Sequence, residues 1–341
     1  MPTILAIETS CDETAVAIVD HEGAVRCNLI ATQFDVHAKY GGVVPELASR
    51  AHIEKLDLLV REGLEQARCT PANIDAIAVT RSPGLIGSLL VGLTAAKTLA
   101  WSWGKPLIGI NHVHAHATSA AIGLSTAPWP AVALVVSGGH TSLYHVSDYD
   151  DIRLLGRTID DAAGEAFDKV ATILDLGYPG GPVVDRRATA GNPEAVAFPR
   201  TLLGRDSLDF SFSGLKTAVL YHVHGPGKTT GGLARLSAGQ VDDICASFSA
   251  AVADVLVEKT LRAVARTKAT CVVIGGGVAA NSTLRDRLSR RCRRNGVVLH
   301  LTPLDYCTDN AVMVATLAGH LMERGRVDDL RLTALASGEP A

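Results

Sequence analysis

The chain has 341 residues, of which 47% are hydrophobic, 20% charged and 4% aromatic, with 32 glycines and a formal net charge of −3. This length predicts two domains, and the composition is typical of a soluble α/β protein, which excludes disordered, collagen-like and coiled-coil chains. No apolar run is long enough for a transmembrane helix and the first residues lack the basic segment of a signal peptide, so we expect a cytoplasmic protein without a membrane partner.

Residues 3–19 consist of an apolar run, a short polar turn and a second apolar run. This pattern predicts a β-hairpin. Its turn contains Asp12 and Glu13, whose carboxylates could bind a metal ion, orient a water molecule or transfer a proton. The alternative is an ordinary solvated turn. A strand at residues 76–80, a glycine-containing loop and a helix that ends near Trp103 are predicted next.

Two histidines, His112 and His116, follow a strand-like run at residues 106–110 and begin a helical segment. Residues four apart share one face of a helix, so both imidazoles can point at one metal ion. Val113 stands where the zincin motif HExxH has its glutamate, which counts against metalloprotease chemistry. A catalytic metal site would need a third protein ligand from elsewhere in the chain.

The same order of elements returns in the second half of the chain. Residues 131–146 predict another hairpin with a turn at 137–141, and a strand at 271–274 leads through a glycine-rich loop to a helix that begins near Ser282. We therefore predict two related α/β halves that face each other across a cleft, with a boundary near residues 125–130. Glycine turns and helix N-termini expose backbone N–H groups, so the repeat favours phosphate or nucleotide binding over simple tight turns.

Three acidic residues outside the hairpins are candidates for a site. Asp168 lies in a partly apolar stretch of a predicted helix and could bind ribose hydroxyls, and Asp185 follows a glycine turn at residues 178–182. Asp309 precedes an apolar helical run. Either Thr308 or Asp309 caps that helix, or Asp309 is the missing carboxylate ligand of the metal, and spacing leaves both interpretations open.

Two other segments carry positive charge. Residues 225–230 (GPGKTT) are similar to a phosphate-binding loop, but GxxxxGK[ST] requires glycine at the position of His222, so we interpret them as a surface loop. Residues 285–294 contain six arginines and one acid along a predicted helix. Because the whole chain is slightly acidic, this segment is its strongest candidate for contact with a phosphate backbone; the alternative is a solvated helix face.

Taken together, a set of motifs that runs through nearly the whole chain resembles the TsaD family of bacterial tRNA threonylcarbamoyladenosine transferases. In chain order the motifs are residues 7–14 (IETSCDET), 41–50 (GGVVPELASR), His112 with His116, 134–141 (LVVSGGHT), 160–169 (DDAAGEAFDK), 178–182 (YPGGP), 210–217 (FSFSGLKT), 275–281 (GGGVAAN) and 308–310 (TDN). The resemblance implies the duplicated α/β fold of actin, sugar kinases and Hsp70 (the ASKHA fold), with two domains around a central cleft. We expect domains 1–128 and 129–310, the first completed by a C-terminal helix at about 311–341.

The resemblance also implies the residues of the site. It implies one divalent metal ion, Fe²⁺ in preference to Zn²⁺, held by His112, His116 and Asp309. The residues implied to line the nucleotide and threonylcarbamoyl site are Val135, Val136, Ser137, Gly138, Gly139, Asp168, Gly181, Asp185 and Asn281.

The implied reaction moves the threonylcarbamoyl group from threonylcarbamoyl-AMP to the exocyclic amine of the adenosine just 3′ of the anticodon, in tRNAs that read codons beginning with A. We expect an acyl-type transfer in which the metal acts as a Lewis acid, backbone amides at residues 137–139 stabilise negative charge, and Asp12 or Glu13 takes the proton. The implied partners are tRNA, TsaB in a heterodimer with this chain, and the ATPase TsaE.

Two other classes of function remain open at this point. A metal-dependent glycoprotease would leave the phosphate-type loops without a role. A noncatalytic ATP-binding regulator of the Hsp70 or actin type would leave His112, His116 and Asp309 without one.

Overall fold

The computed structural model describes residues 1–204 and 206–337. The strands are β1 (Ile4–Glu8), β2 (Glu13–Val19), β3 (Val25–Thr32), β4 (Ala76–Ser82), β5 (Leu107–Asn111), β6 (Ala131–Val136), β7 (Thr141–Asp148), β8 (Asp151–Arg157), β9 (Cys271–Gly275) and β10 (Val298–Leu301). The α-helices are α1 (Phe34–His37), α2 (Pro45–Ala67), α3 (Ile86–Trp103), α4 (His112–Thr118), α5 (Ala163–Ile173), α6 (Gly180–Ala188), α7 (Ser213–His224), α8 (Ala238–Thr267), α9 (Ser282–Arg294) and α10 (Ala311–Glu323).

The chain divides into two compact units. The second unit is Pro128–Cys307, and the first consists of the described residues on either side of it. Helix α10 therefore belongs to the first unit, where it packs on β1 and β2. This helix ends at Glu323, so only the beginning of the expected helical stretch 311–341 is helical, and its last four residues lie outside the described part of the chain.

The first unit is built on a five-stranded sheet with the order β3-β2-β1-β4-β5. Strands β1 and β2 form the predicted hairpin, and β1, β4 and β5 run parallel, so their carboxyl ends meet at one edge of the sheet. Every residue of β1 and β2 is buried, because α2 and α3 cover one face of the sheet and α10 covers the other. Continuous apolar strands are expected when both faces of a sheet are covered.

The second unit repeats this arrangement with the strand order β10-β9-β6-β7-β8. Strands β6 and β7 form the second predicted hairpin, while β6, β9 and β10 run parallel. The long helix α8 begins at a capping box, in which Gln240 N donates to Ser237 Oγ at 3.2 Å and Ser237 N donates to Gln240 Oε1 at 2.9 Å. Both hairpins predicted from the sequence are thus confirmed, as are the later strands predicted at residues 76–80 and 271–274.

Among the described residues, no helix combines the length and the apolar character that crossing a membrane requires.

Candidate metal centre and nucleotide-binding loops

The two histidines lie where strand β5 passes directly into helix α4. Asn111 caps this helix, because its side chain accepts hydrogen bonds from Val113 N at 2.9 Å and His114 N at 3.2 Å. The cap fixes the helix start, so that His112 and His116 lie on one helical face with their ring centroids 4.6 Å apart. Both imidazoles are buried. The predicted sharing of one helix face is confirmed.

Asp309 lies just before helix α10 in the same unit. The cap of that helix is Asn310, whose Oδ1 accepts from Met313 N at 3.0 Å, so the prediction that Thr308 or Asp309 forms the cap is wrong. Asp309 is free to turn toward the histidines instead. Its Oδ1 lies 3.0 Å from His116 Nε2 and 3.4 Å from His112 Nε2.

These three side chains fit a metal ion. One ligand atom from each lies within 4.8 Å of the others, and both Nε2 atoms face the same carboxylate oxygen. Two imidazole nitrogens and one carboxylate oxygen form a donor set that suits Fe²⁺ or Zn²⁺ and leaves coordination positions for a substrate. Burial alone would raise the pKa of Asp309, but the imidazoles, above all His112, hold it well below its usual range, so the carboxylate is ionised as a ligand must be.

A further carboxylate, Glu8, holds His112 from the opposite side. Glu8 Oε2 lies 3.0 Å from His112 Nδ1, and the same oxygen accepts from Thr80 Oγ1 at 2.5 Å. Ser10 N donates to Glu8 Oε1 at 2.6 Å. A carboxylate on the second ring nitrogen fixes the tautomer and orientation of a metal-ligating histidine. Burial by itself would lower the pKa of His112, but Asp309 and Glu8 raise it well above its usual value.

No role was predicted for Glu8 from the sequence. The available signal was a single carboxylate at the end of an otherwise apolar strand, since Glu8 closes β1 and is fully buried. Such a residue is rarely buried without a partner.

Asp12 lies in the turn of the first hairpin and Glu13 begins β2, and this polar segment is not solvated. Both side chains are buried, so the alternative of an ordinary exposed turn is wrong. His52 holds the turn, with Nδ1 2.7 Å from Thr14 Oγ1 and Nε2 3.0 Å from the carbonyl oxygen of Cys11. Burial, together with the nearby charges of Asp309 and Asp12, raises the pKa of Glu13 to about 10. The predicted catalytic pair therefore lies within electrostatic reach of the candidate metal ligands.

In the second unit, the turn after β6 lies against the N-terminus of α5. Gly164 N donates to Ser137 O at 3.2 Å, and a Cβ atom on Gly164 would lie 2.5 Å from that oxygen. By contrast, a Cβ atom on Gly138 or Gly139 would meet nothing within 4 Å. Open space beside backbone amides and a helix N-terminus is the arrangement that phosphate groups favour.

The loop after β9 reaches the same edge of the sheet. Gly276 has φ +93°, and a Cβ atom on it would lie 2.4 Å from the carbonyl oxygen of Val136. Val135 and Val136 themselves are fully buried at the end of β6, and Val135 pairs with Gly275. Only their backbone is therefore available to a ligand at this edge.

The remaining predicted residues form two polar contacts at helix starts. Asp168 Oδ1 accepts from Gly180 N at 2.8 Å, next to Gly181 in the first turn of α6. Asp185 Oδ1 accepts from Asn281 Nδ2 at 2.8 Å, while Asn281 Oδ1 caps α9 by accepting from Leu284 N at 2.9 Å. A Cβ atom on Gly181 would meet nothing within 4 Å. Contact of these residues with ribose stays a prediction.

Comparison with known proteins agrees with this arrangement. Residues 24–316 match the protein family described as "TsaD: tRNA N6-adenosine threonylcarbamoyltransferase". The chain belongs to the TsaD family. The resemblance stated from the motifs is therefore confirmed, and with it the class of enzyme, a transferase that modifies tRNA.

TsaD relatives align with almost the full length of the chain. The tRNA N6-adenosine threonylcarbamoyltransferase of Anaeromyxobacter dehalogenans is 48% identical over 326 residues, which cover 95% of this chain and 96% of the relative. The protein of the same name from Moorella thermoacetica is 49% identical over 334 residues, which cover 97% of this chain and 95% of the relative.

Solved structures at much lower identity share the fold. HypF from T. kodakarensis superposes with a TM-score of 0.66 at 14% identity, covering 95% of this chain and 48% of that chain. Component A of the Acidaminococcus fermentans (R)-2-hydroxyglutaryl-CoA dehydratase superposes with a TM-score of 0.53 at 16% identity, covering 96% and 100% of the two chains. These similarities confirm the predicted ASKHA-type α/β fold for this TsaD family member.

Proposed function

We propose that the chain transfers the threonylcarbamoyl group of threonylcarbamoyl-AMP to N6 of the adenosine just 3′ of the anticodon in tRNAs that read codons beginning with A, and releases AMP. The observation that carries this proposal is the convergence of His112, His116 and Asp309 on one point in a chain that aligns with TsaD proteins over almost its full length. A site with open coordination positions suits the orientation and polarisation of an acyl adenylate.

The adenylate would be held by the loops of the second unit. The open space beside Gly138 and Gly139, next to the N-terminus of α5, supports binding of its phosphate by backbone amides. The side chains of Asp168, Asp185 and Asn281 would contact the ribose and adenine. Gly181 and the backbone of Val135 and Val136 would line the rest of the binding surface.

The metal centre would orient the threonylcarbamoyl group, which is the group that reacts. A bound Fe²⁺ or Zn²⁺ ion, of which we favour Fe²⁺, supplies Lewis-acid character and fixes the orientation of an oxygen ligand. His112, His116 and Asp309 hold this ion, and Glu8 keeps the His112 ring in place through its Nδ1 atom.

In the reaction, N6 of the adenosine attacks the carbamoyl carbon, a bond forms between these two atoms, and the bond from carbon to the AMP phosphate oxygen breaks. The amine loses one proton, which we assign to Asp12, because the raised pKa of Glu13, about 10, keeps that carboxyl group protonated at neutral pH. Since an adenine amine is a weak nucleophile, correct placement of both reactants contributes more than a strong base would. Replacement of both acids by Asn and Gln with full retention of transfer would exclude this role.

We propose the same partners that the motifs imply, namely tRNA, TsaB in a heterodimer with this chain, and the ATPase TsaE. Because the proposed substrate is tRNA, we also propose that the protein works in the cytoplasm.

The test is transfer of radiolabelled threonine to unmodified tRNA. The purified chain receives threonylcarbamoyl-AMP with and without TsaB and TsaE, and wild type is compared with the His112→Ala/His116→Ala variant. His114→Ala is the matched control, because His114 lies between the two ligands in sequence but outside the candidate metal group. We expect labelled tRNA with wild type and His114→Ala only. No label in any partner combination would favour the noncatalytic ATP-binding regulator instead.

A further inference from the structure

Helices α8 and α9 form a groove on the second unit that the proposed reaction does not use. The groove has a volume of about 450 Å³. Its lining consists of Arg200, Leu202, Asp254, Val257, Glu258, Arg287, Arg290, Arg291 and Arg294. It therefore contains four of the six arginines of the basic segment 285–294.

The structure separates the six arginines of that segment by role. Leu284, Leu288 and Cys292 bury one face of α9. Arg285 turns inward and donates to the carbonyl oxygens of Ala279 at 3.1 Å and Thr302 at 3.2 Å. Four others, Arg287, Arg290, Arg291 and Arg294, are spaced i, i+3, i+4 and i+7 and form one stripe that lines the groove.

Acidic side chains hold several of these guanidinium groups in place without neutralising the groove. Asp254 pairs with Arg287 and, at 3.2 Å, with Arg200; Glu258 lies 3.4 Å from Arg291. Among the described residues Arg294 has no ion-pair partner. Five arginines thus face two carboxylates, a surplus of three positive charges in a chain whose formal net charge is −3.

The wall opposite α9 is also fixed. Lys259 of α8 is fully buried and donates to the carbonyl oxygens of Leu202 at 2.7 Å and Ser207 at 2.6 Å. These bonds fasten the segment that contributes Leu202 to the groove. The charged stripe is therefore a preformed surface, because neither wall has to be ordered when a ligand binds.

The size of the stripe indicates what it binds. From Arg287 to Arg294 the helix rises about 10 Å, which is longer than a single phosphate group and matches a stretch of polynucleotide backbone. Guanidinium groups bind phosphate through paired hydrogen bonds, and the arginines of the stripe remain partly exposed to do so. Helix α9 also begins at Asn281, so the groove lies within about 20 Å of that predicted site residue along one rigid helix.

We propose that the groove between α8 and α9 binds the sugar–phosphate backbone of the tRNA substrate. The inference rests on the proposed function, since it assigns a docking surface for the same substrate. Contacts of this kind position the RNA and carry no sequence preference.

The test compares two double variants of equal charge change. Arg290→Glu/Arg294→Glu reverses the groove arginine that pairs with Asp286 of its own helix and the one that has no ion-pair partner among the described residues. Arg61→Glu/Arg153→Glu reverses two exposed arginines outside the groove, each of which pairs with one nearby acid. Binding of fluorescently labelled unmodified tRNA is measured by anisotropy over a series of KCl concentrations, and the KM for tRNA is measured in the transfer assay.

We expect the groove variant to bind tRNA at least about tenfold more weakly near 0.1 M salt, with a salt dependence lower by about 1.4–1.8 in log–log slope. Its KM for tRNA should rise while kcat stays within about twofold, and the control should match wild type. An Arg290→Gln/Arg294→Gln variant removes the same two phosphate contacts and should show the same change in slope with a smaller loss of affinity, which guards against misfolding caused by charge reversal.

The possible outcomes separate the two proposals. If wild type neither binds nor modifies tRNA, the proposed function fails. If wild type does both and the groove variant matches the control, the groove inference fails alone. If the groove variant keeps its tRNA affinity but loses association with a protein partner, the surface belongs to that partner and the inference is overturned.

Discussion

In the first unit the candidate site is made of side chains that bond to one another, whereas in the second unit most candidate residues bond to backbone. Asp309 lies against both histidines, and Glu8 holds His112 from behind. In the second unit, Asp168 accepts from Gly180 N, and Gly164 donates to a carbonyl oxygen of the turn after β6. The two units share one strand order, so the duplicated framework supports two different kinds of site.

This difference predicts different responses to substitution. In the first unit the candidate metal site depends on the charge and donor atoms of individual side chains. Replacing one ligand should therefore abolish metal binding while the fold persists. In the second unit the site depends on how closely backbone segments approach, so replacing one glycine should change folding as well as binding.

The largest effect is expected for Asp309→Ala. Removal of the carboxylate leaves two imidazoles and no charged ligand, so metal affinity should fall by more than about a hundredfold, beyond what loss of an outer-sphere partner costs. Metal content after equilibration at fixed free Fe²⁺ or Zn²⁺ is the measurement, with His114→Ala as the control. Full metal content in Asp309→Ala would mean that the ion is held elsewhere.

The next effect contrasts two adjacent glycines of the second unit. Gly276→Ala places a Cβ atom 2.4 Å from the carbonyl oxygen of Val136 at φ +93°, so the free energy of unfolding should decrease by about 2–4 kcal/mol. Gly277→Ala meets nothing within 4 Å and should cost less than about 1 kcal/mol. Urea unfolding measures both, and equal losses would contradict the close approach of this loop to β6.

A smaller effect is expected for Glu8→Gln in the first unit. The substitution keeps the size of the side chain but removes the negative charge that lies beside His112 Nδ1, so metal affinity should decrease about 10- to 100-fold. Competition with a chelator gives the dissociation constant, and urea unfolding of the metal-free chain separates ligand orientation from stability. Thr80→Val, which removes only the hydrogen bond from Thr80 to Glu8, should show a weaker decrease. An unchanged dissociation constant in Glu8→Gln would leave this carboxylate with a structural role only.

Local patterns were sufficient to predict much of the framework. Both hairpins were readable because their strands are continuous apolar runs, and the common face of His112 and His116 follows from helical spacing alone. The glycine-rich loop before α9 could also be predicted locally, because three consecutive glycines follow an apolar strand.

Contacts between distant segments could not be predicted in this way. Which residue caps α10 decides whether Asp309 can reach the histidines, and both Asn310 and Asp309 are good caps by composition. The pairing of Glu8 with His112 joins residues 104 apart, and no local period encodes it. The division of the six arginines into a half-buried donor (Arg285), a groove stripe of four and Arg293 outside the groove depends on the position of α8.

The smallest expected effect concerns a carboxylate of the second unit, Asp160. It accepts hydrogen bonds from Ser211 Oγ at 2.5 Å, Ser213 Oγ at 2.7 Å and Phe212 N at 2.9 Å, at the start of α7. Partial burial would raise the pKa of Asp160, but these hydrogen bonds lower it below its usual value. The folded state therefore binds this proton less tightly than the unfolded state, in which the pKa is about 3.9.

It follows that Asp160 stabilises the fold above about pH 4 and that this contribution is lost as pH falls through the lower pKa of the folded state. Because the carboxylate is largely exposed, the contribution should be about 1 kcal/mol or less. Asp160→Asn should reduce stability at pH 7 and flatten its decline between about pH 5 and pH 2, whereas Asp57→Asn, in an exposed pair with Arg61, is the control. Parallel stability curves for wild type and Asp160→Asn would show that acid sensitivity arises elsewhere, and the buried carboxylates of the first unit would then be the groups to examine.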